Sequence, residues 1–440
     1  LNFEFHYFCV QTYAVNYKYK EMIFMKEKKR ADLLPEEIIK FRKIEKSFID
    51  RCRQFGYQEI KTSSIEPLYI FTATKALSPN VLKRVYSFLD WGGWSGERVV
   101  LRPDLTISTV RYYLDYLIKE KPQAKLCYIE NYFLLDETGR EVSEKWQFGL
   151  ENIGEGSSSQ DAEVIFIALD ILKDVGFEKR YLHLSYPSII IECINLAFKN
   201  YEEQQATLNL IKDKRFDEIK SNSQNPNIDN LIKLLCFKGS NVSYLNNLKA
   251  DFPGSLKIQQ LLDRFKEVCL LLDALNCNYE IDFSLSKDFE YYTGIQFQIF
   301  STPHKKEEEM LCSGGRYDDL IGMLGNLNNK IPSIGFALYV KKIINLMSIS
   351  LNVSQNIGII VKNITSQNIK TSQNLHIRFN QLGFVPYISL VEIVPTRYDE
   401  FGLIIEVDHE KFKDGYNIIH SHQIDKPLLR NLFGEFSINE

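Results

Sequence analysis

The stretch Leu311-Cys-Ser-Gly-Gly-Arg-Tyr-Asp-Asp-Leu-Ile321, read together with Ile331-Pro-Ser-Ile-Gly-Phe-Ala-Leu-Tyr-Val340, decides the fold. Ser313, Gly314 and Gly315 read as a small-residue turn that presents Arg316, Tyr317 and Asp318. A short amphipathic run follows, and then a Pro-led segment too rich in Gly and Ala for an ordinary strand. Glycines at such positions let a backbone come close to a ligand. The pattern gains weight from two others, Leu101-Arg-Pro-Asp-Leu-Thr106 and Phe289-Glu-Tyr-Tyr-Thr-Gly294.

The chain has 440 residues, enough for two or three domains, and its 45% hydrophobic and 25% charged residues are an ordinary globular mixture. A net charge of −4 gives no overall pull toward nucleic acid, which counts mildly against a nucleic-acid-binding role, tRNA included. The eight cysteines are scattered singly, without a C-x-x-C pair, and the seven histidines form no H-E-x-x-H spacing. Reduced thiols and no metal are expected. The absence of a long apolar run and of a signal-peptide pattern makes the expected compartment the cytoplasm.

Residues 1–24 hold no chemistry and read as an extension, because Met25 opens a more natural beginning. Pro35, followed by Glu36 and Glu37, starts a helix that runs to Phe55, with Ile39, Phe41, Ile44, Phe48 and Ile49 at helical spacing. Tyr57–Ile65 reads as a strand, Val81–Asp90 and Val99–Leu101 as a hairpin, and Thr106–Tyr116 as a helix. Lys125–Leu135 and Trp146–Ile153 read as paired strands, and Asp161–Asp174 as a helix stopped by Gly176. Residues 189–275 are mostly helical in spacing, with a polar loop expected over Lys220–Asp229. From Ile357 a βαβ pattern begins, with strands expected at 358–362, 385–390, 401–407 and 416–420 around a helix at 366–382.

Taken in order, these stretches resemble the core of the histidyl-tRNA synthetases and their paralogues. The resemblance implies an α+β fold: a class II synthetase-like antiparallel sheet flanked by helices, with a helical insertion and a small C-terminal α/β domain. It implies the core over 25–350, the insertion at about 189–275, and a degenerate anticodon-binding-like domain over 355–440. It also implies a histidine site. Asp104, Thr106 and Glu151 would meet the ammonium, with Gln147 nearby, and Tyr292 and Tyr317 would shape the imidazole end. Arg316 is a further pocket residue by resemblance. The ammonium reading of Asp104 is chemically sound, because a cation in a partly closed site needs a carboxylate and hydroxyl acceptors. A helix cap is the competing reading of the same residue.

The departures concern ATP. Leu134, Lys287 and Lys342 stand where the family has arginines that hold phosphate groups or serve catalysis. Leucine cannot donate a hydrogen bond, and lysine lacks the bidentate fork of arginine. The expectation is therefore a chain with no catalytic residues and no cofactor. It would act as the histidine-binding regulatory subunit of ATP phosphoribosyltransferase, a homodimer assembled with the short-form catalytic subunit. A divergent histidine–tRNA ligase using Mg-ATP is one alternative. A synthetase-like binding module with another partner is the second.

Overall fold

The computed structural model describes residues 31–73, 79–90, 96–135, 144–220, 225–240, 242–285, 292–301, 309–348, 356–390, 401, 403–413 and 416–421. The chain divides between Met347 and Ser348 into two compact units. Among the described residues, no helix is long and apolar enough to cross a membrane.

The first unit is built on a nine-stranded, largely antiparallel sheet. Its strands lie in the order Gln58–Glu59, Ala124–Phe133, Glu144–Ile153, Ser333–Tyr339, Glu309–Arg316, Gln296–Ser301, Arg180–Ser185, Tyr279–Asp282, Lys238–Gly239. Only the Gln58–Glu59 pairing and that of Arg180–Ser185 with Tyr279–Asp282 are parallel. A three-stranded sheet made by Ile65–Pro67, Arg98–Leu101 and Ser87–Leu89 stands apart.

Side chains alternate between the two faces of a strand, so Phe148 and Leu150 point opposite to Gln147, Gly149 and Glu151. Both apolar residues are fully buried. Phe148 meets Phe41 and Phe48 of helix Pro35–Gln54 at ring-centroid separations of 5.3 and 5.6 Å. Each buried Phe of this kind contributes about 1.5–3 kcal/mol. Helix Ser158–Asp174 packs beside Pro35–Gln54; Ser157 caps it by accepting from the Gln160 N–H. The back face is therefore sealed by apolar packing, and the polar residues of the sheet are left to the front.

Several expected boundaries move. Ser313, Gly314 and Gly315 form no turn: they lie inside strand Glu309–Arg316, in the middle of the sheet. Their small size serves contacts across the sheet face rather than a change of chain direction. Val81 and Leu82 belong to a short helix, and the following strand covers only Ser87–Leu89. Within Tyr57–Ile65 only Gln58–Glu59 and Ile65 are in strands. Part of the expected polar loop is helix Pro226–Cys236, started by Pro226 with Asn225 as its cap. Its polar surface faces outward while Ile228, Leu231, Leu234 and Leu235 are buried.

In the second unit, strands Asn356–Val361 and Val385–Ser389 are parallel and joined by helix Ser366–Gln381. Leu403–Val407 lies parallel on the other side of the first strand, and Tyr416–Ser421 is antiparallel at the edge. Ile357, Ile359, Leu403 and Ile405 pack against Leu375 and Phe379 of the helix.

Candidate functional site

Four side chains, Asp104, Thr106, Tyr128 and Tyr317, converge on the front of the sheet around Glu151. The row that carries them follows from register. Glu151 pairs with Gly335, Gly335 with Gly315, and Gly315 with Gln296. Directly opposed residues in antiparallel strands share a face. A Cβ at Gly335 would overlap Glu151 Oε2, so the carboxylate lies flat on the backbone of the neighbouring strand. A Cβ at Gly315 would stand 2.6 Å from Cδ1 of Tyr292, so that ring covers the next position in the row.

Glu151 is 1% exposed and is met by two phenols. Tyr317 donates to Oε2, and Tyr128 donates to Oε1 at 3.4 Å. The Thr106 side chain lies beside both Glu151 and Tyr128, close enough to favour their charged forms. Asp104 lies close enough for its charge to act on Glu151 and on Tyr128.

The segment bearing Asp104 and Thr106 is pinned by Arg102. This buried guanidinium donates to Glu130 Oε2 at 2.7 Å, to the Asn131 carbonyl at 2.7 Å and to Thr62 Oγ1 at 3.0 Å. Helix Leu105–Tyr116 starts there, and Asp104 Oδ1 accepts from the Ile107 N–H at 2.8 Å. The capping reading of Asp104 is thus realised, and the same carboxylate also belongs to the cluster.

A buried acid with a second, half-buried one close by is costly when both are charged. Burial pushes the Glu151 carboxyl up to about 8; the hydrogen bond from Tyr317 and the neighbouring Thr106 side chain oppose this, and the nearby Asp104 charge adds to it. Burial likewise pushes Asp104 up to about 6, against the pull of the Ile107 and Thr106 backbone N–H groups. Burial first, and then Glu151 and Asp104, raise the Tyr128 phenol well above its ordinary value. The cluster is rich in oxygen acceptors and suited to a cation that brings several N–H donors, whose charge would favour the ionised carboxylates.

Of the residues expected from sequence, Glu151 and Tyr317 meet directly, Thr106 and Asp104 lie near enough to Glu151 to act on its charge, and Tyr292 lies on the same row. Gln147 sits four residues before Glu151 on the same face, opposite Tyr339. Arg316 is a different matter: it turns away from this cluster. Its Nε donates to Asp161 Oδ1 at 2.9 Å, and a terminal nitrogen donates to Asp318 Oδ1 at 3.1 Å. With 1% exposure and both carboxylates engaged, it ties helix Ser158–Asp174 to the sheet instead of lining the pocket. Tyr128 was not foreseen, although its place opposite Gly149 in an alternating strand was the available signal. Gln296 was missed too; it is 3% exposed, and its Oε1 accepts no hydrogen bond among the described residues.

Leu134 follows strand Ala124–Phe133 and is half-buried. Lys342 is exposed, with Nζ 5.5 Å from the ring centroid of Tyr339, whose hydroxyl shares a 2.7 Å hydrogen bond with Ser313 Oγ. The neighbouring Lys341 pairs with Glu37 at 2.6 Å. Lys287 lies outside the described residues.

A family model for histidyl-tRNA synthetase matches residues 29–343. The chain belongs to the histidyl-tRNA synthetase family. Within it, an ATP phosphoribosyltransferase regulatory subunit from Dehalococcoides mccartyi is 41% identical over 321 residues, 72% of this chain and 76% of that protein. A histidine–tRNA ligase from Methanocaldococcus jannaschii is 30% identical over 327 residues, 72% of this chain and 74% of that one. Among solved structures, an ATP phosphoribosyltransferase regulatory subunit/histidyl-tRNA synthetase from Bacillus halodurans C superposes with a TM-score of 0.73 at 20% identity. The match covers 85% of this chain and 96% of that one. Apo histidyl-tRNA synthetase from S. aureus gives 0.59 at 18% identity, over 92% and 98%. The expected class II synthetase-like fold is borne out.

Proposed function

We propose that this chain is the regulatory subunit of an ATP phosphoribosyltransferase, which binds histidine and assembles with the short catalytic subunit at the first step of histidine biosynthesis. The observation that carries this reading is the gradient among relatives: those at 40–41% identity bear that name, and the cited ligase reaches 30%. The site supports it. The histidine ammonium meets Glu151, Asp104 and Thr106, with Tyr317 and Tyr128 holding Glu151 in place and Tyr292 flanking the ring. Where the family places phosphate-binding arginines, Leu134 offers no donor, and Lys342 offers a point charge without the fork. Histidine then acts as a signal. Its effect on the partner is a coupling free energy between two sites, equal in both directions.

The test uses the purified chain with a short-form ATP phosphoribosyltransferase. Stimulation of that enzyme, reversed by histidine, together with no histidine-dependent ATP–pyrophosphate exchange by the chain alone, is the expected result. Exchange above background would establish the ligase reading. Histidine binding with neither effect would establish a binding module with another partner.

A further inference from the structure

We propose that His183, Glu280 and Asp282 form a divalent-cation site, for zinc or a similar borderline ion, at the base of the helical segment. This proposal is independent of the histidine pocket. No sequence motif announces it, because the histidine and the carboxylates lie about a hundred residues apart in the chain. The sheet brings them together. Strands Arg180–Ser185 and Tyr279–Asp282 are parallel neighbours in which His183 is registered on Glu280, and Asp282 lies two residues on along the same face. Donor atoms of all three lie within 4.8 Å of one another.

One further observation points to a missing partner. His183 Nδ1 is buried and makes no hydrogen bond among the described residues, while the buried Asp282 Oδ2 is paired with Lys238. Nδ1 stands 3.6 Å from Glu280 Oε1, which is too long for a hydrogen bond. It is close to the separation of about 3.4 Å between two ligands that share a tetrahedral zinc at ordinary bond lengths. One imidazole and two carboxylates leave a fourth position for water, and Glu280 is 41% exposed, so an ion has a route in. Asp282 is pre-oriented, because Oδ1 accepts from the Ser284 N–H at 2.9 Å and from the Ser284 hydroxyl, leaving Oδ2 toward the cluster.

A cation already stands near this place. Lys238 Nζ is 2.8 Å from Asp282 Oδ2, and its side chain is 57% exposed. Lys238 therefore competes with a metal ion and can swing out to solvent when one binds. The position gives the site a purpose. Strand Arg180–Ser185 leads into helix Pro187–Ala197, Tyr279–Asp282 follows helix Leu256–Ala274, and Lys238 comes from within that segment. A bound ion joins the entry strand to the exit strand and releases the tie from the segment itself.

The test is a calorimetric titration of the chelator-treated full chain with Zn2+, repeated on Glu280→Gln, His183→Gln and Lys238→Ala. Glu280 is partly exposed, so its variant keeps the fold, which circular dichroism checks. The expected result is one equivalent of zinc bound by the parent, weakened at least about tenfold in Glu280→Gln and in His183→Gln, and tightened in Lys238→Ala. The melting temperature should rise with zinc only where the site is intact. Isotherms for Glu280→Gln and His183→Gln that overlay the parent overturn the proposal. So does zinc uptake that disappears on replacing the exposed Cys236 with serine.

Discussion

Tyr317 gives its phenolic hydrogen to the same oxygen of Glu151, Oε2, that lies against the α-carbon of Gly335. Glu151 lies in strand Glu144–Ile153 and Tyr317 just past the end of strand Glu309–Arg316; strand Ser333–Tyr339 runs between those two strands. Only a residue without a side chain at the crossing allows the bond.

Gly335→Ala should therefore displace Glu151 and break its bond to Tyr317. Overpacking of this kind costs about 1–3 kcal/mol. Thermal melts should show the loss, and calorimetry should show histidine affinity falling by more than tenfold. Unchanged affinity would mean that Glu151 is not a ligand-binding group.

Stability should depend on pH through Glu151. Its carboxyl sits near 8 in the folded chain against an ordinary 4.5, so the native state keeps a proton that the unfolded state has lost. Stability from this group is full below about pH 4.5 and is lost as pH rises toward 8, at about 1.4 kcal/mol per unit. Glu151→Gln never ionises. The variant should gain on the parent progressively between pH 5 and 8, by a few kcal/mol at the upper end, in urea unfolding. Parallel curves would contradict the protonated carboxyl.

Histidine binding should release protons. An ammonium favours the ionised carboxylate, so below pH 8 the Glu151 proton must leave when the ligand enters, and near pH 6 Asp104 adds a share. Binding enthalpies measured in buffers of different ionisation heat should differ at pH 7, and the difference should shrink as pH rises past 8 and reverse in sign where the ligand amine must take up a proton. Affinity should rise with pH up to about 8, above which the ligand's own ammonium begins to deprotonate.

Asp104 serves two purposes that a pair of variants can separate. Asp104→Ala removes both the cap and the charge, and should cost about 1 kcal/mol in stability. Asp104→Ser restores a hydroxyl acceptor for the Ile107 N–H and should recover most of that stability. Neither should respond to histidine. Restored binding in the serine variant would reduce Asp104 to a cap.

How far the sequence reaches is visible residue by residue. Helix Pro35–Gln54 is legible because proline, two glutamates and apolar spacing act locally, and the class follows from three short stretches in a fixed order. Asp104, Thr106 and Tyr317 could be named from those stretches, and Glu151 from the strand expected at Trp146–Ile153. Whether they touch depends on strand order. Gly335 separates Glu151 from Gly315, and no local preference states which strands become neighbours. The same applies to Arg316, which shares a motif with Tyr317. Successive residues on extended backbone point to opposite sides, so Arg316 finds Asp161 while Tyr317 finds Glu151. Sequence alone thus determined the family and the chemistry on offer, with Leu134 and Lys342 standing where the resemblance implies arginines. The tertiary structure decided which carboxylates share a buried pocket. Burial and charge proximity, which set their protonation, are properties of the packed sheet and not of any stretch of chain.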